Sequence, residues 1–190
     1  MHTYSIVFRP PAFGIEYVKG LKDMLDSRIG WFKSRNAEAH ITVLEFKIDE
    51  SRLHIAIAFL NRFCQRLVPF TVHFDAFGTY PQGTFFLAPD QASKDLLVPL
   101  MKELGASFPL SAMKVTDPHM SIARELNNAT LNEAQVFFAT TKPELSFQID
   151  AVYLRKLKKS DYPQFEIADS FPFGNQPNHA AVWPVQGTLL

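Results

Sequence analysis

Apolar and polar positions along the chain fall into alternating strand-like and helix-like blocks. The first, Thr3–Phe8, is a short mostly apolar run stopped by Pro10-Pro11 and predicts a strand. From Phe13 to Arg28 the residues Ile15, Val18, Leu21 and Leu25 recur at helical spacing, and Ala39–Ile48 then returns to a strand pattern. Ser51–Val68 predicts a second helix with Leu53, Ile57, Leu60 and Cys64 or Leu67 on its apolar face, Ser51 as N-cap and Pro69 as its terminator. Phe70–Ala88 holds two strand-like stretches about Tyr80-Pro81-Gln82-Gly83 and reads as a hairpin. A third helix over Ser93–Leu104 contains Pro99, which is expected to kink or shorten it. Met113–Arg124 follows, with its strand proper beginning after Pro118. Leu131–Thr140 predicts a fourth helix, with Thr130 and Glu133 in capping-box spacing, and Ser146–Lys156 and Gln164–Phe173 close the pattern as a pair of strands.

The order of these elements roughly repeats across the two halves of the chain, although no residue-level repeat is evident. It suggests two β-rich lobes, each contributing one strand to a shared cleft. The two strands in question carry the same string of residue types: His40-Ile41-Thr42-Val43 and His119-Met120-Ser121-Ile122. In a strand, successive side chains point to opposite faces. His40 and Thr42 therefore share one face while Ile41 and Val43 enter the core, and His119 and Ser121 do the same beside Met120 and Ile122.

Composition narrows the class. With 190 residues, 47% of them apolar and 18 of them Phe, the chain has enough material for one well-filled domain and is neither disordered nor fibrous. Its 19 basic residues balance its 19 acidic ones, which argues against neutralising a long nucleic acid and leaves a small phosphate-bearing ligand open. The lone Cys64 excludes an intrachain disulfide and a cysteine-based zinc cage, and its apolar surroundings read as those of a buried structural thiol. Residues 1–10 lack the layout of a signal peptide and no run approaches 18 apolar residues, so a cytoplasmic protein without a membrane span is expected. His2, His54, His73 and His179 are given surface or structural roles. No His-x-His or His-Glu-x-x-His pattern completes a metal site around the motif histidines.

The paired His-x-Thr/Ser-x strings resemble those of the 2H phosphoesterase superfamily, and among its members the bacterial proteins described as 2'-5' RNA ligase-like or cyclic phosphodiesterase-like. Asp117-Pro118-His119-Met120-Ser121-Ile122-Ala123-Arg124 is similar to the family's second-motif strand. Val152-Tyr153-Leu154-Arg155, Tyr162, Phe165-Glu166-Ile167 and Phe171-Pro172-Phe173 look like its closing hairpin. The resemblance covers residues 1–174 and leaves 175–190 as a C-terminal tail. It implies a bilobal α+β fold, two β-sheet lobes with flanking helices around a central cleft, with no required metal or cofactor, and two histidines acting on a phosphodiester, often a 2',3'-cyclic phosphate of a nucleotide or RNA end. Ser121 stands where the family frequently has threonine; it keeps the hydroxyl and loses the methyl group that stiffens the rotamer.

Hydrolysis of a cyclic phosphodiester needs one group to take a proton from water and another to protonate the leaving ribose oxygen. Imidazole suits both tasks at neutral pH. The sequence leaves the division of labour open, with His119 as base the first assignment. Thr42 and Ser121 are expected to donate hydrogen bonds to nonbridging phosphate oxygens. Arg124 is a candidate phosphate ligand, although strict alternation from His119 puts it on the opposite face unless the strand bulges or ends. Among the aromatic residues, Tyr4, Phe46, Tyr80 and Tyr153 are candidates for stacking a base, with Phe8 and Phe86 behind them. A metal-independent cyclic phosphodiesterase is thus expected, its partner a small phosphate-bearing nucleotide or RNA terminus. The alternatives are a non-catalytic nucleotide or RNA-end binding module and a 2'-5' RNA end-joining ligase. Oligomeric state is left open.

Overall fold

The computed structural model describes residues 1–158 and 164–174. The predicted tail, with His179 and Ala180–Trp183, lies outside the described residues, as does Tyr162. The elements run β1 (His2–Phe8), α1 (Ala12–Ile29), β2 (Ile41–Ile48), α2 (Leu53–Cys64), β3 (Phe70–Tyr80), β4 (Thr84–Pro89), α3 (Gln91–Ser107), β5 (Ala112–Lys114), β6 (Met120–Ala123), α4 (Asn128–Phe138), β7 (Leu145–Ile149), β8 (Ala151–Lys158) and β9 (Gln164–Pro172).

The expected α+β fold with two β lobes is present, and the lobes are two halves of one curled antiparallel sheet. Its strands lie in the order β7-β3-β4-β6-β2-β1-β8-β9, with β5 also on β2. The halves meet where β2 and β6 pair at Ile41 and Met120. Both of these residues are fully buried in the single core, which the helices complete. Helices α1 and α4 pack on each other and against β4, β6 and β7, whereas α2 and α3 cover β2, β3, β8 and β9. The lobes are not sequence halves: α1 follows β1 yet packs against the far half, and β8 and β9 return from the far end of the chain to β1. This interleaving binds them into one unit.

Local capping corrects several sequence expectations. Ser51 does not cap α2; it lies in a 3-10 turn over Glu50–Arg52, closed by Arg52 N–H donating to Asp49 O at 2.9 Å. The helix stops at Cys64, short of Val68. For α4 the cap is Asn127, whose side chain accepts from Thr130 N–H at 2.9 Å, so Thr130 is inside the helix. Glu133 consequently pairs with Arg28 of α1 at 2.9 Å rather than folding back to complete a capping box. Asp90 caps α3 by accepting from Ser93 N–H at 2.7 Å, and that helix runs through Pro99 to Ser107. Burial of Leu97, Leu100, Met101 and Leu104 on either side of Pro99 outweighs the one backbone bond that proline removes. The stretch read as one strand over Ser146–Lys156 divides at Asp150 into β7, which pairs with β3, and β8, which pairs with β1 and β9.

Candidate active site

Each motif histidine sits one residue before its strand, at the seam between the two halves. Ile41 and Met120 oppose each other in antiparallel register and point into the core. That register sets His40 beside Ser121 and Thr42 beside His119, all four on the other face of the sheet. The four are partly buried.

A β-bulge follows immediately in both strands. Against β1, Thr42 opposes Val7 and Leu44 opposes Ile6, so Val43 is an extra residue. Against β4, Ser121 opposes Phe86 and Ala123 opposes Phe85, so Ile122 is extra in the same place. An inserted residue reverses the in-out alternation beyond it. Val43 and Leu44 are accordingly both buried, as are Ile122 and Ala123. The fifth residue after each histidine, Glu45 in one half and Arg124 in the other, thereby returns to the motif face. Arg124 is exposed there, and the bulge is the reason strict alternation mispositions it.

The two imidazoles are anchored alike. His40 Nδ1 lies 2.7 Å from Glu38 O and His119 Nδ1 lies 2.9 Å from Asp117 O. A carbonyl only accepts, so each Nδ1 carries a proton and each Nε2 is left for other partners. The segment before His40 is itself fixed by the buried Lys22, whose ammonium donates to Ser34 O at 3.0 Å and Ala37 O at 2.5 Å, and by an Arg9–Glu38 ion pair at 2.6 Å. Burial, and after it the positive charge of Arg155, pushes the His40 imidazole down to about 3. His40 is therefore neutral at physiological pH.

His119 has an aromatic setting instead. Its ring meets Tyr80 edge-on at 5.1 Å and Phe86 at 5.0 Å, and Tyr80 stacks on Phe86 at 4.5 Å. The Tyr80 hydroxyl donates to the Asp117 carboxylate and lies 3.3 Å from His119 Nδ1. Burial, then the Asp117 carboxylate, pushes the Tyr80 hydroxyl well above its ordinary range. Gly78 makes room for this cluster: a Cβ at that position would lie 2.5 Å from the Phe86 ring.

The remaining candidates divide. Tyr80 touches His119, and Tyr153 lies on the motif face, paired with Val7 next to Thr42. Tyr4 and Phe46 do not belong to the site. They oppose each other across β1 and β2, stack at 5.5 Å and are 0% and 3% exposed in the core. Phe46 would share the face of Thr42 in an unbulged strand, and the extra residue at Val43 turns it inward. Sequence reasoning gave no role to Asp117, which was part of the second-motif string, or to Arg155 of the closing hairpin. Cys64 is buried, and that burial pushes its thiol up to about 12, as befits a structural cysteine. A cavity of about 370 Å³ between β3 and α4 and another of about 260 Å³ beside Lys22 include neither motif histidine. Among the described residues, no group of three or more His, Cys, Asp or Glu side chains is arranged to hold a metal ion, and no helix is long and apolar enough to cross a membrane.

Known proteins share this architecture. The apo form of LigT from E. coli superposes with a TM-score of 0.62 at 13% identity, over 90% of this chain and 97% of that one. A Thermus thermophilus protein, TT0787, gives 0.60 at 18% identity, over 93% and 100%. Usb1 from Kluyveromyces marxianus gives 0.59 at 12% identity, over 90% and 98%. LigT also has crystal structures in complex with 3'-AMP and with ATP. No curated protein matches the chain significantly in sequence. The profile of the 2'-5' RNA ligase superfamily matches residues 20–161, which include both histidine strings, and the chain belongs to that superfamily, the 2H phosphoesterases.

Proposed function

We propose that this protein is a metal-independent phosphodiesterase that opens a 2',3'-cyclic phosphate, or a related cyclic phosphodiester, on a nucleotide or RNA end. The observation that carries the proposal is the matched anchoring of the two imidazoles. Each Nδ1–H is committed to the carbonyl two residues earlier, so both Nε2 atoms remain for substrate. The nucleotide complexes of LigT support a nucleotide-type ligand.

His40, kept neutral, takes a proton from the attacking water through Nε2. The water oxygen bonds to phosphorus, the bond from phosphorus to one ribose oxygen breaks, and His119 in its protonated form donates a proton to that leaving oxygen. This order reverses the first assignment from sequence, and the buried, cation-flanked setting of His40 is the reason. Thr42 and Ser121 donate hydrogen bonds to the nonbridging oxygens as charge builds on them, and Arg124 supplies a compensating cation from the same face. Tyr80 and Asp117 orient His119.

The test is turnover of 2',3'-cyclic nucleotides in excess EDTA, followed by a change of leaving group. With a 4-nitrophenyl phosphodiester the leaving phenolate needs no proton. His119→Ala is then expected to regain most of its activity while His40→Ala stays impaired. Rescue of His40→Ala alone reverses the assignment, and no opening of any cyclic phosphate by the wild type rejects the function. End joining is the same ring opening with the 5'-hydroxyl of a second RNA in place of water, and a ligated product from RNA fragments ending in cyclic phosphate and 5'-hydroxyl is its signature.

A further inference from the structure

The register of the sheet carries an equivalence between the halves that reaches beyond the motif strands. On one side β2 pairs with β1 and β1 with β8; on the other β6 pairs with β4 and β4 with β3. Counting outward from the two hydroxyl residues, Thr42 opposes Val7 and Ser121 opposes Phe86, so Val7 and Phe86 correspond. Two residues further along those inner strands stand Ser5 and Thr84, both buried polar residues on otherwise apolar strands. Their outer neighbours are Arg155 opposite Ser5 and Tyr80 opposite Thr84. Arg155 and Tyr80 thus occupy the same place in the two halves, and Tyr80 touches the histidine of its own half.

Arg155 has the features of a group built to meet an anion. It is only 7% exposed, yet among the described residues no carboxylate lies within salt-bridge distance of it. Its Nε and Nη2 both donate to one acceptor, the Ser5 hydroxyl, at 3.1 and 2.8 Å, and Phe165 lies 4.9 Å beneath the guanidinium. The carboxylates of Glu45, opposite Ser5 on the same face, and of Glu38 act on it only from beyond ion-pair distance. A buried cation whose one hydrogen-bond acceptor is neutral is under-compensated, and a bound anion relieves that cost. The Ser5–Arg155 pair is displaced from Thr42 by two residues along β1 and by one strand across the sheet, about 7 Å in one direction and about 5 Å in the other, a diagonal on the order of 8 Å that the neighbouring phosphate of a nucleotide chain can span.

We propose that Arg155 binds a second phosphate of the substrate, next to the one held by the histidines, and so selects ligands carrying two phosphates over those carrying one. The second phosphate has two chemical sources: the preceding phosphodiester of an oligonucleotide, or a terminal 5'-phosphate on a single nucleotide. The proposal rests on the motif face being the phosphate site, and its test reads binding separately from turnover.

The experiment is calorimetric titration of the full chain with 3'-AMP, adenosine 3',5'-bisphosphate and the dinucleotide ApAp, repeated on Arg155→Gln and Arg155→Lys variants checked for native circular dichroism. Wild-type protein is expected to bind at least one of the two-phosphate ligands about tenfold or more tightly than 3'-AMP. Preference for ApAp alone identifies an internal phosphodiester, and preference for the bisphosphate as well identifies a terminal phosphate. The preference should disappear in Arg155→Gln and survive partly in Arg155→Lys, which keeps the charge and loses the forked geometry. Equal binding of all three ligands by the wild type overturns the proposal without any variant. A preference that persists in Arg155→Gln, or an equal loss for all three ligands, overturns it too, the latter being the mark of a purely structural arginine. Turnover of the corresponding cyclic phosphates in the same samples distinguishes the two readings: a binding preference without turnover rejects the phosphodiesterase and leaves the Arg155 site standing.

Discussion

Gly78 offers the sharpest mechanical test of how the His119 half of the site is held. In Gly78→Ala the new methyl carbon would lie 2.5 Å from both Cε2 and Cζ of Phe86 and 3.3 Å from Cδ2. Carbon atoms pack best at about 3.5–4.0 Å, so the ring has to retreat by about 1 Å. It has little freedom to do so, because Phe86 is 7% exposed, stacks on Tyr80 at 4.5 Å and meets His119 at 5.0 Å. Overpacking of this kind costs about 1–3 kcal/mol, which urea unfolding would read as a lower midpoint with unchanged slope. The displaced ring also carries Tyr80 and His119 with it, and a shift of about 1 Å at a reacting group lowers turnover on the order of a hundredfold. Shortening the ring in Gly78→Ala/Phe86→Leu should relieve the clash, with a coupling of about 0.5–3 kcal/mol between the two positions. Wild-type stability and turnover in Gly78→Ala, or strictly additive effects in the double variant, would refute the packing argument.

Three further outcomes are expected. Gly83 has φ of +82° and a Cβ there would lie 2.0 Å from Leu126 O, so Gly83→Ala should destabilise by more than about 1 kcal/mol in urea unfolding and loosen the turn that carries Tyr80. Asp90→Ala removes the cap of α3 and should cost about 0.5–2 kcal/mol in the same assay, with Asp90→Asn close to wild type. Because His40 is held neutral in the fold down to about pH 3, the unfolded chain takes up a proton near its ordinary pKa of about 6.5 while the folded protein does not. The contribution of His40 to stability is therefore complete above about pH 6.5 and is lost as pH falls below it, at up to about 1.4 kcal/mol per unit. His40→Asn should flatten that slope in unfolding curves between pH 6.5 and 4, and an unchanged slope would contradict the burial of a neutral ring.

Much of the fold was legible in the sequence because the apolar spacing of the longer helices and the outer strands is regular. What escaped it has local causes. Caps were assigned to Ser51 and Thr130 because those residues have capping chemistry, whereas the chain turns at Asp49 and Asn127, where an extended backbone precedes the helix. The four motif groups followed from alternation alone, since each lies before its bulge. Beyond the bulges simple alternation fails: it points Phe46 to the site, whereas Phe46 belongs to the core, and it brings the candidate phosphate ligand Arg124 to the motif face only if the strand bulges, as it does at Ile122. No composition rule announces an extra Val43 or Ile122, and it is the shared position of these two bulges that makes the halves equivalent. The repeat invisible in residue identities is visible in register, and it relates Arg155, part of the closing hairpin, to Tyr80 beside His119.

The central claim is that His40 and His119 act together as a proton-transferring pair on one phosphate. Its most direct test is the rate at which purified protein opens 2',3'-cyclic AMP in excess EDTA, measured for the wild type, His40→Ala, His119→Ala and the double variant. Each single variant is predicted to lose about 10²- to 10⁴-fold in kcat, and the double variant scarcely more than either, as befits groups that act as a unit. Wild-type turnover in either single variant would contradict the account.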